Sequence, residues 1–406
     1  MKVLFITEYF FPKIKGGGEI SCFLLGKYLT KLGVEVHILT SKFSKTKEEE
    51  IIEGMFIHRK TKTGKNPSSV LSNFKRTLIF PKSVKENTKK LMEKYNFDLI
   101  HYFNINSSYG VIKTKIPKIM HINSPTLFCP KGNLLYGTKY SCNLYCNYEI
   151  FKKCFSNSKY IGKIRNNFFL KYNPFFRRYI YKLYKNKISL LENFNHFIPI
   201  SNFLAKRLQI LGIHKDKISV VPNIIETEKF EKNKLKGNKL KIIYLGSYIE
   251  SKGILTLLKS LKKLKRDYIC NLYGEGILEK EIKKSISINK LKVVVNKKVK
   301  YKEIPKLISK HNVLILPSLI SEAFGRVLVE AMASGCLPIA SRVGGTSDII
   351  KNKKNGYLFE PGDDKELNEI LNNLKLSEIN KEQLIEESKK YQGENIAKRV
   401  LSIYKK

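Results

Sequence analysis

The sequence predicts an α/β fold built from two domains, each with a mostly parallel sheet. First, 406 residues suffice for two or three domains at about 100–200 residues each. Second, short apolar runs alternate with longer stretches of helical periodicity, which is typical of parallel α/β sheets. Third, this alternation stops at a polar segment near the middle of the chain and then starts again. A composition of 42% hydrophobic residues also excludes a disordered or fibrous chain.

The first alternating series fills the N-terminal half. Its short apolar runs predict strands, and its longer amphipathic stretches predict helices. The strands are expected at Lys2–Thr7, Val34–Thr40, Phe97–Phe103, Ile116–Ile122 and His196–Ser201. The helices are expected at Glu19–Leu32, Pro81–Tyr95 and Ser201–Leu211.

The second series begins near Lys239. Its predicted strands are Lys241–Leu245, Tyr268–Tyr273, Leu291–Val295, Val313–Leu316 and Leu337–Ala340. Its predicted helices are Gly253–Lys265, Glu279–Ser287, Glu303–His311, Gly325–Ser334 and Asp364–Leu374. We therefore predict an N-terminal domain over 1–222 with a cysteine-bearing insertion at about 126–160, a polar linker over 223–238, and a C-terminal domain over 239–390. A last helix over 391–406 is available to pack back on the N-terminal domain. Ligands of open parallel sheets bind beyond the carboxyl ends of the strands, which predicts a site in the cleft between the domains.

The chain is strongly basic, with 76 Lys and Arg against 35 Asp and Glu, a formal charge of +41. Either a lysine-rich composition throughout or a surface for nucleic acid or an anionic membrane accounts for this excess. The stretch between Leu99 and Leu191 holds 16 basic residues and a single acid, Glu149, and general lysine enrichment does not remove acids from one stretch. No zinc-finger, RNA-recognition or helix-turn-helix pattern supports nucleic acid.

No apolar run reaches the ~18–20 residues needed to span a bilayer, and Val3–Thr7 is too short for the apolar part of a signal peptide. We therefore expect a cytoplasmic protein, soluble or peripheral, without a disulfide framework.

Two carboxylates mark the strongest motif. Glu322 follows a predicted buried strand, and Glu330 lies eight residues later, inside a helix that is apolar nearly all round. A buried ionised carboxylate needs partners. Sugar or ribose hydroxyls are one possibility, and an ion pair with Arg326 or Arg342 is the other. Backbone N–H groups of Phe324 and Gly325 at the start of this helix would suit a phosphate.

Two further segments have the character of phosphate sites. Gly16-Gly17-Gly18-Glu19 lies between the first strand and a helix, where glycine lets a backbone approach a diphosphate. It does not have the spacing of a dinucleotide-binding loop, so a dehydrogenase is disfavoured. The segment Tyr244–Gly253 ends at a helix start with Lys252, which would neutralise a diphosphate. Alone, the glycine triplet is equally compatible with a simple surface turn.

Together and in this order, these segments resemble the family 4 retaining glycosyltransferases of GT-B fold, two facing Rossmann-like domains. The resemblance rests on the Glu322/Glu330 pair with its Phe324-Gly325 insert and trailing Glu330–Gly335. Further support comes from Val221-Pro222-Asn223, Gly274-Glu275-Gly276 and Asn355–Phe359. The resemblance is strong from about Lys239 to Glu360 and weaker before Lys239.

The resemblance implies roles at matching positions. Gly17, Gly18 and Lys252 would bind the donor diphosphate, Glu330 the ribose hydroxyls, and Glu322 the sugar hydroxyls. His121 would face the reacting sugar, with His101 as a weaker candidate, although a histidine at a strand end also suits a structural role. The remaining donor-site residues would be Ser247, Gly274, Glu275, Phe324, Gly325, Arg326 and Val327. The family usually has Arg where Ser247 stands, so donor binding is either weakened or supported by Arg326.

The implied activity is a retaining, hexosyltransferase-type transfer of a sugar from a nucleotide-diphosphate donor, such as a UDP-sugar, to a glycan or lipid-linked acceptor at the cytoplasmic membrane face. Cell-surface polysaccharide or glycoconjugate synthesis fits that activity. Such folds hold the diphosphate without requiring a metal, and the chain contains no Asp-x-Asp. The alternatives are a catalytically impaired nucleotide-sugar binder and a GT-B enzyme acting on a small soluble sugar.

Two features lie outside this core. Cys129, Cys142, Cys146 and Cys154 fall within 26 positions, and four thiolates suit a structural Zn²⁺, although free thiols or a disulfide are equally open. Lys159–Lys187 combines nine basic residues with nine Phe or Tyr, among them Arg177, Arg178, Lys182 and Lys185. Such a stretch, with Asn73–Lys90 as a second candidate, suits either an anionic membrane surface or a solvated basic face.

Overall fold

The computed structural model describes residues 1–14, 16–64, 75–132, 134–136, 140–142, 144–157, 172–235 and 237–406. The chain divides into two compact units. Unit 1 comprises Met1–Ile224 and Gly393–Lys406, and unit 2 comprises Ile225–Gln392. No helix among the residues described is both long enough and apolar enough to cross a membrane.

Unit 1 is built on a seven-stranded sheet in the order β3-β4-β2-β1-β5-β6-β9. Its strands are β1 Lys2–Ile6, β2 Glu35–Ser41, β3 Glu49–Ile52, β4 Met55–Thr61, β5 Leu99–Tyr102, β6 Lys118–Ile122 and β9 His196–Pro199. All neighbours pair in parallel except β3, which is antiparallel to β4. The two short strands β7 Leu135–Tyr136 and β8 Tyr140–Ser141 form a separate antiparallel pair.

The helices of unit 1 connect and cover these strands. They are α1 Gly17–Lys31, α2 Phe80–Lys94, α3 Ile105–Ser108, α4 Tyr148–Ser156, α5 Pro174–Ser189 and α6 Asn202–Ile210. The core lies where β1 and β2 face α1, with Phe5 and Val36 fully buried. The five strands and three helices predicted in this half are present, whereas β3, β4, the short strand pair, α3, α4 and α5 have no counterpart in the prediction.

Unit 2 is built on a six-stranded, wholly parallel sheet in the order β12-β11-β10-β13-β14-β15. The strands are β10 Leu240–Leu245, β11 Tyr268–Tyr273, β12 Val293–Asn296, β13 Val313–Leu316, β14 Leu337–Ser341 and β15 Tyr357–Phe359. Every residue of β13 and β14 is buried, because parallel strands covered on both faces need continuous apolar runs. Such runs are easy to find in a sequence.

The helices of unit 2 are α7 Ile254–Lys262, α8 Glu279–Ile288, α9 Ile304–Ile308, α10 Arg326–Ala333, α11 Thr346–Ile349, α12 Asp364–Asn373 and α13 Lys381–Ser388. The final helix, α14 Gly393–Tyr404, belongs to unit 1 and packs against α1.

Much of the segment expected as a linker is packed inside unit 2. Ile225 donates its N–H to the carbonyl of Tyr391, and Phe230 is buried. Asn233 donates its side-chain amide to the carbonyl of His311. A polar side chain of this segment, that of Asn233, therefore forms a hydrogen bond to the backbone of unit 2. The second unit begins at Ile225.

Candidate functional site

Loops at one edge of the unit 2 sheet carry most of the residues predicted to bind a donor. Ser247 and Lys252 follow β10, Gly274 and Glu275 follow β11, and Glu322 follows β13. Because β10 lies between β11 and β13, the three loops share the carboxyl edge of the sheet. This is the edge at which open parallel sheets bind ligands.

Lys252 and Glu322 form an ion pair at this edge. The Lys252 Nζ donates to Glu322 Oε1 at 2.6 Å, and the Ser318 hydroxyl donates to the same oxygen. The lysine side chain is 30% exposed and the glutamate 16%. The ammonium is therefore held in place yet reachable by an anionic ligand.

A glycine fixes the backbone beside Lys252. Gly253 has φ +66°, and a Cβ on it would lie 1.7 Å from the carbonyl oxygen of Pro317. Only glycine fits both the left-handed conformation and this close approach. The turn after β10 is thereby packed against the end of β13, next to the loop that carries Glu322.

Glu330 lies in the middle of α10 and is 2% exposed. Burial raises the pKa of its carboxyl, while Arg326 acts to lower it. The Arg326 Nε lies 3.8 Å from Glu330 Oε1, and its Nη2 donates to the Tyr301 hydroxyl at 3.1 Å. Of the two arginine partners left open by the sequence, the structure selects Arg326, because Arg342 pairs with Glu360 instead.

The start of α10 offers backbone groups. Phe324 is buried and its ring packs edge-on against Tyr391, so its side chain is part of the core and only its backbone is available to a ligand. Gly325 has φ +97°, and Arg326 and Val327 open the helix. The first N–H groups of a helix have no partner within it and carry its partial positive charge.

The remaining predicted donor residues of unit 2 differ in exposure. Ser247 is exposed, and its carbonyl accepts a hydrogen bond from the Tyr244 hydroxyl at 2.9 Å. Glu275 is 70% exposed and lies 3.6 Å from Lys298. Gly274 is buried against the backbone of Gly246.

Unit 1 contains a cavity of about 410 Å³ at the carboxyl ends of β1, β5 and β6 and the start of α1. Gly17 and Gly18 line it, and Gly18 lies so close to Asn123 that a Cβ would meet the Asn123 Nδ2 at 2.8 Å. The Gly16 N–H donates to the Glu19 carboxylate at 2.8 Å, which caps α1.

His121 lines this cavity. Its side chain is 6% exposed and stacks on Phe103 with ring centroids 4.8 Å apart, and neither ring nitrogen has a partner among the described residues. Burial lowers the pKa of His121 to about 3, so the imidazole is neutral. His101 instead lies in the core, where Nδ1 meets the Tyr404 hydroxyl at 2.5 Å, so its placement is structural.

A polar cluster in the same cavity escaped the sequence analysis. Glu8 lies two residues after the end of β1 and is 2% exposed. Arg76 contacts both of its carboxylate oxygens, at 2.7 and 3.0 Å, and Thr63 and Asn106 donate to it at 2.7 Å each. The sequence signal was an acid at the end of a buried strand, but its partners lie 55 to 98 positions away.

The four clustered cysteines lie close together. Cys129, Cys142, Cys146 and Cys154 line one small apolar cavity, and none of them forms a disulfide in the described part of the chain. Among the described residues, no three His, Cys, Asp or Glu side chains are positioned so that they could bind one metal ion. Zinc at this cluster stays a prediction.

The basic, aromatic stretch is described from residue 172 onward; its residues 159–171 lie outside the described part of the chain, as do residues 73 and 74 of the second candidate. The outward face of α5 carries Phe175, Arg178, Tyr179, Lys182 and Lys185. Phe175 is 81% exposed. Arg177 is directed elsewhere, because it donates to the Ser156 hydroxyl at 2.8 Å.

Sequence profiles of two families match the chain. "Glycosyltransferase Family 4" matches residues 15–229, and "Glycosyl transferases group 1" matches residues 225–391. Among individual relatives, an uncharacterized glycosyltransferase of Methanocaldococcus jannaschii is 33% identical over 167 residues, 40% of this chain and 47% of that protein. Protein CapJ of Staphylococcus aureus is 33% identical over 186 residues, 43% of this chain and 46% of CapJ. The matched segments thus span about half the length of these relatives.

Solved structures resemble the whole chain. Sucrose-phosphate synthase from Thermosynechococcus elongatus aligns with a TM-score of 0.74 at 19% identity, covering 100% of this chain and 98% of that one. HepE from Anabaena, solved with UDP and glucose, aligns with a TM-score of 0.68 at 16% identity, covering 100% and 99%. At such identities the likeness concerns the fold.

Proposed function

This chain belongs to glycosyltransferase family 4 and has the GT-B fold, and we propose that it is a retaining glycosyltransferase. The reaction would move a hexosyl group from a nucleoside-diphosphate sugar to a glycan or lipid-linked acceptor. The observation that carries the proposal is the Lys252–Glu322 pair, held at the ligand-binding edge of the unit 2 sheet beside the start of α10. A cation, a carboxylate and the N-terminus of a helix thus lie at the same edge of the sheet.

The chemistry follows from charge. Breaking the bond between the anomeric carbon and phosphate leaves negative charge on the diphosphate, which Lys252 and the N–H groups at the start of α10 stabilise electrostatically. When the diphosphate takes hydrogen bonds from Lys252, the Glu322 carboxylate becomes available to sugar hydroxyls. Glu330 accepts from ribose hydroxyls while Arg326 and Tyr301 hold it. Gly17 and Gly18 serve the diphosphate through their N–H groups. No step requires a metal ion.

We assign the cavity of unit 1 to the acceptor. His121 is neutral, so one ring nitrogen donates and the other accepts, which suits a sugar hydroxyl. Because Arg76 is neutralised by Glu8, the cavity favours an uncharged, hydroxyl-rich acceptor group. The outward face of α5 adds basic and aromatic side chains suited to an anionic bilayer. We therefore place the enzyme at the inner face of the cell membrane, in synthesis of a cell-surface polysaccharide or glycoconjugate.

Donor turnover tests the proposal. Full-length protein is incubated with a panel of nucleotide sugars, and release of free nucleoside diphosphate is measured with and without octyl glycosides as acceptors. Because HepE was solved with UDP, UDP-sugars come first. We expect Lys252→Ala and Glu322→Ala each to lower the rate by roughly 10²–10³-fold, while Lys259→Ala, an exposed lysine of α7, leaves it unchanged.

Unchanged rates in both site variants would reject the site. Donor binding measured by calorimetry, without turnover on any acceptor, would favour a nucleotide-sugar binder that has lost catalysis. Ser247, which stands where the family usually has Arg, is the residue that would explain such a loss. Arg326, the alternative support for the diphosphate, contacts Glu330 and Tyr301 in this structure.

A further inference from the structure

The four-cysteine cluster lines a different cavity from the one that His121 lines. Its cavity is about 10 Å³, roughly the room of one water molecule, and is lined mainly by apolar side chains. Cys129 and Cys154 are buried, and Cys142 and Cys146 are partly buried. Cysteines from a loop after β6, from the segment after β8 and from α4 thus converge on one cavity.

The charges around this cluster are unusual. Arg207 is 3% exposed and donates to the carbonyls of Cys142 and Leu144, at 2.9 and 3.2 Å. It makes no ion pair with a carboxylate in the part of the chain that the structure describes, and its Nε is buried without a partner. Lys187 lies near Cys129. A buried cation is costly unless an anion accompanies it.

The four thiols lie close to one another beside these cations. All four line the same small cavity, and Cys146 interacts with Cys129, Cys142 and Cys154. Bound together to one dication as thiolates, they would supply the anionic charge that Arg207 lacks.

We propose that Cys129, Cys142, Cys146 and Cys154 bind one Zn²⁺ as four thiolates. Binding releases four protons to solvent and forms four sulfur–zinc bonds, which leaves a centre of charge −2. Arg207, Lys187 and Lys131, which also lines the cavity near Cys146, bring positive charge to this centre. Tetrahedral Zn²⁺ with four cysteines is a common structural site with Zn–S distances of about 2.3 Å. The ion must draw the sulfurs inward, because they are not yet arranged around one point.

Such an ion would stabilise the part of unit 1 that carries α5. Cys154 lies on α4, whose Phe151 and Phe155 pack against Phe176 and Ile180 of α5. The Tyr181 hydroxyl of α5 donates to the Cys146 carbonyl at 3.2 Å. Zinc would thus fix α4, and through it the helix with the exposed basic and aromatic face.

Metal content tests this inference independently of any transferase activity. Full-length protein is purified without chelators, incubated with zinc sulfate, desalted and measured by elemental mass spectrometry. We expect about one zinc per chain, and its loss in Cys146→Ala and Cys154→Ala. Cys270→Ala removes a buried thiol from unit 2 and should retain the metal. Cobalt chloride in place of zinc should give intense sulfur-to-metal charge-transfer bands of a tetrahedral site.

Folding of each variant is checked by circular dichroism. Should the cysteine variants fail to fold, a strong chelator added to the unaltered protein must remove the zinc and lower its thermal midpoint. Zinc content near zero in the unaltered protein, or cobalt spectra without charge-transfer bands, would overturn the proposal. So would an intact mass lower by four hydrogens, which would identify two disulfides instead.

Discussion

At His121, burial and orientation determine which chemistry is possible. The ring is stacked on Phe103 and lacks partners for both nitrogens among the described residues, and its pKa is lowered to about 3. A neutral imidazole in a cavity forms hydrogen bonds without carrying charge. We expect His121→Ala to lower kcat/KM by roughly 10²–10³-fold, in line with the loss of one positioned hydrogen-bond donor. Rates of sugar transfer measured against acceptor concentration test this.

The same residue makes a prediction about pH. Because His121 stays neutral from pH 5 to 9, its titration should not change the transfer rate in this range. Any inflection in the pH profile of the unaltered enzyme should therefore also be present in His121→Asn. Asn keeps a neutral donor and acceptor and should recover part of the activity lost in His121→Ala. An inflection near pH 6.5 present only in the unaltered enzyme would show that the imidazole titrates, against the burial seen here.

Among elements, the turn between β10 and α7 makes the sharpest prediction. Gly253→Ala should destabilise unit 2 by more than about 1 kcal/mol, because the left-handed conformation and the contact with Pro317 both exclude a Cβ. Urea unfolding followed by circular dichroism measures the loss. Gly237→Ala is the matched control, since Gly237 also has a positive φ, +89°, but has nothing within 4 Å. An equal loss of stability in Gly253→Ala and Gly237→Ala would mean that the close contact with Pro317 does not add to the destabilisation.

The outward face of α5 makes a prediction about membranes. Arg178, Lys182 and Lys185 are exposed beside Phe175 and Tyr179, and α5 contains no acid. At roughly 1 kcal/mol per basic residue, changing all three to Gln should weaken binding to vesicles containing phosphatidylglycerol by about 100-fold. Sedimentation with vesicles at low and high salt measures this. Arg177 is left unchanged because it holds Ser156.

A matched control for α5 lies in unit 2. Lys259, Lys262 and Lys263 are exposed at the end of α7, and changing them to Gln removes the same charge from another surface. Equal weakening by both triple variants would assign the binding to overall charge. Equal binding to vesicles of pure phosphatidylcholine would leave α5 as a solvated basic face.

The elements also show what a sequence can predict. The strands β10, β11, β13 and β14 were predictable because they are apolar runs followed by helical periodicity. By contrast β4 contains His58, Arg59 and Lys60 and does not look buried, yet Arg59 is 1% exposed because Glu50 of β3 pairs with it at 2.6 Å. Such strands depend on cross-strand partners, which the chain order does not reveal.

The same limit applies to the sites. Lys252 and Glu322 were identified from motifs, each within its own segment. The Glu8–Arg76 pair joins residues 68 positions apart, so only the fold reveals that a buried carboxylate has a counter-ion. The cysteine cluster was predictable only in part, because the spacing of the cysteines suggested it, whereas the buried cation of Arg207 beside it was revealed by the structure.

For the whole molecule, the charge excess is uneven between the units. Unit 1 holds 43 basic and 14 acidic residues, a net +29, and unit 2 holds 33 and 21, a net +12. The larger excess lies in the unit that carries α5. Lysine enrichment explains a basic background in both units, whereas the added charge of unit 1 supports a role for this unit at an anionic surface.

Histidine burial also makes the stability of the whole molecule depend on pH. Six of the seven histidines have a lowered pKa, mainly because of burial: His37, His58, His101, His121, His196 and His311. In the unfolded chain they bind protons below about pH 6.5, whereas in the folded chain they resist protonation until lower pH. The unfolded state therefore binds more protons, and stability falls as pH falls below 6.5.

Each such histidine contributes up to about 1.4 kcal/mol per pH unit in this window. The raised pKa of Glu330 acts in the opposite sense, but it is one group against six. We expect the urea midpoint, followed by circular dichroism because the chain has no Trp, to fall between pH 6.5 and 5. Unit 1 contains five of these histidines, so its transition should shift further than that of unit 2. His101→Phe should reduce the slope, whereas His214→Gln, at an exposed position, should not. A midpoint that stays constant over this range would mean that the buried histidines take up protons in the folded state.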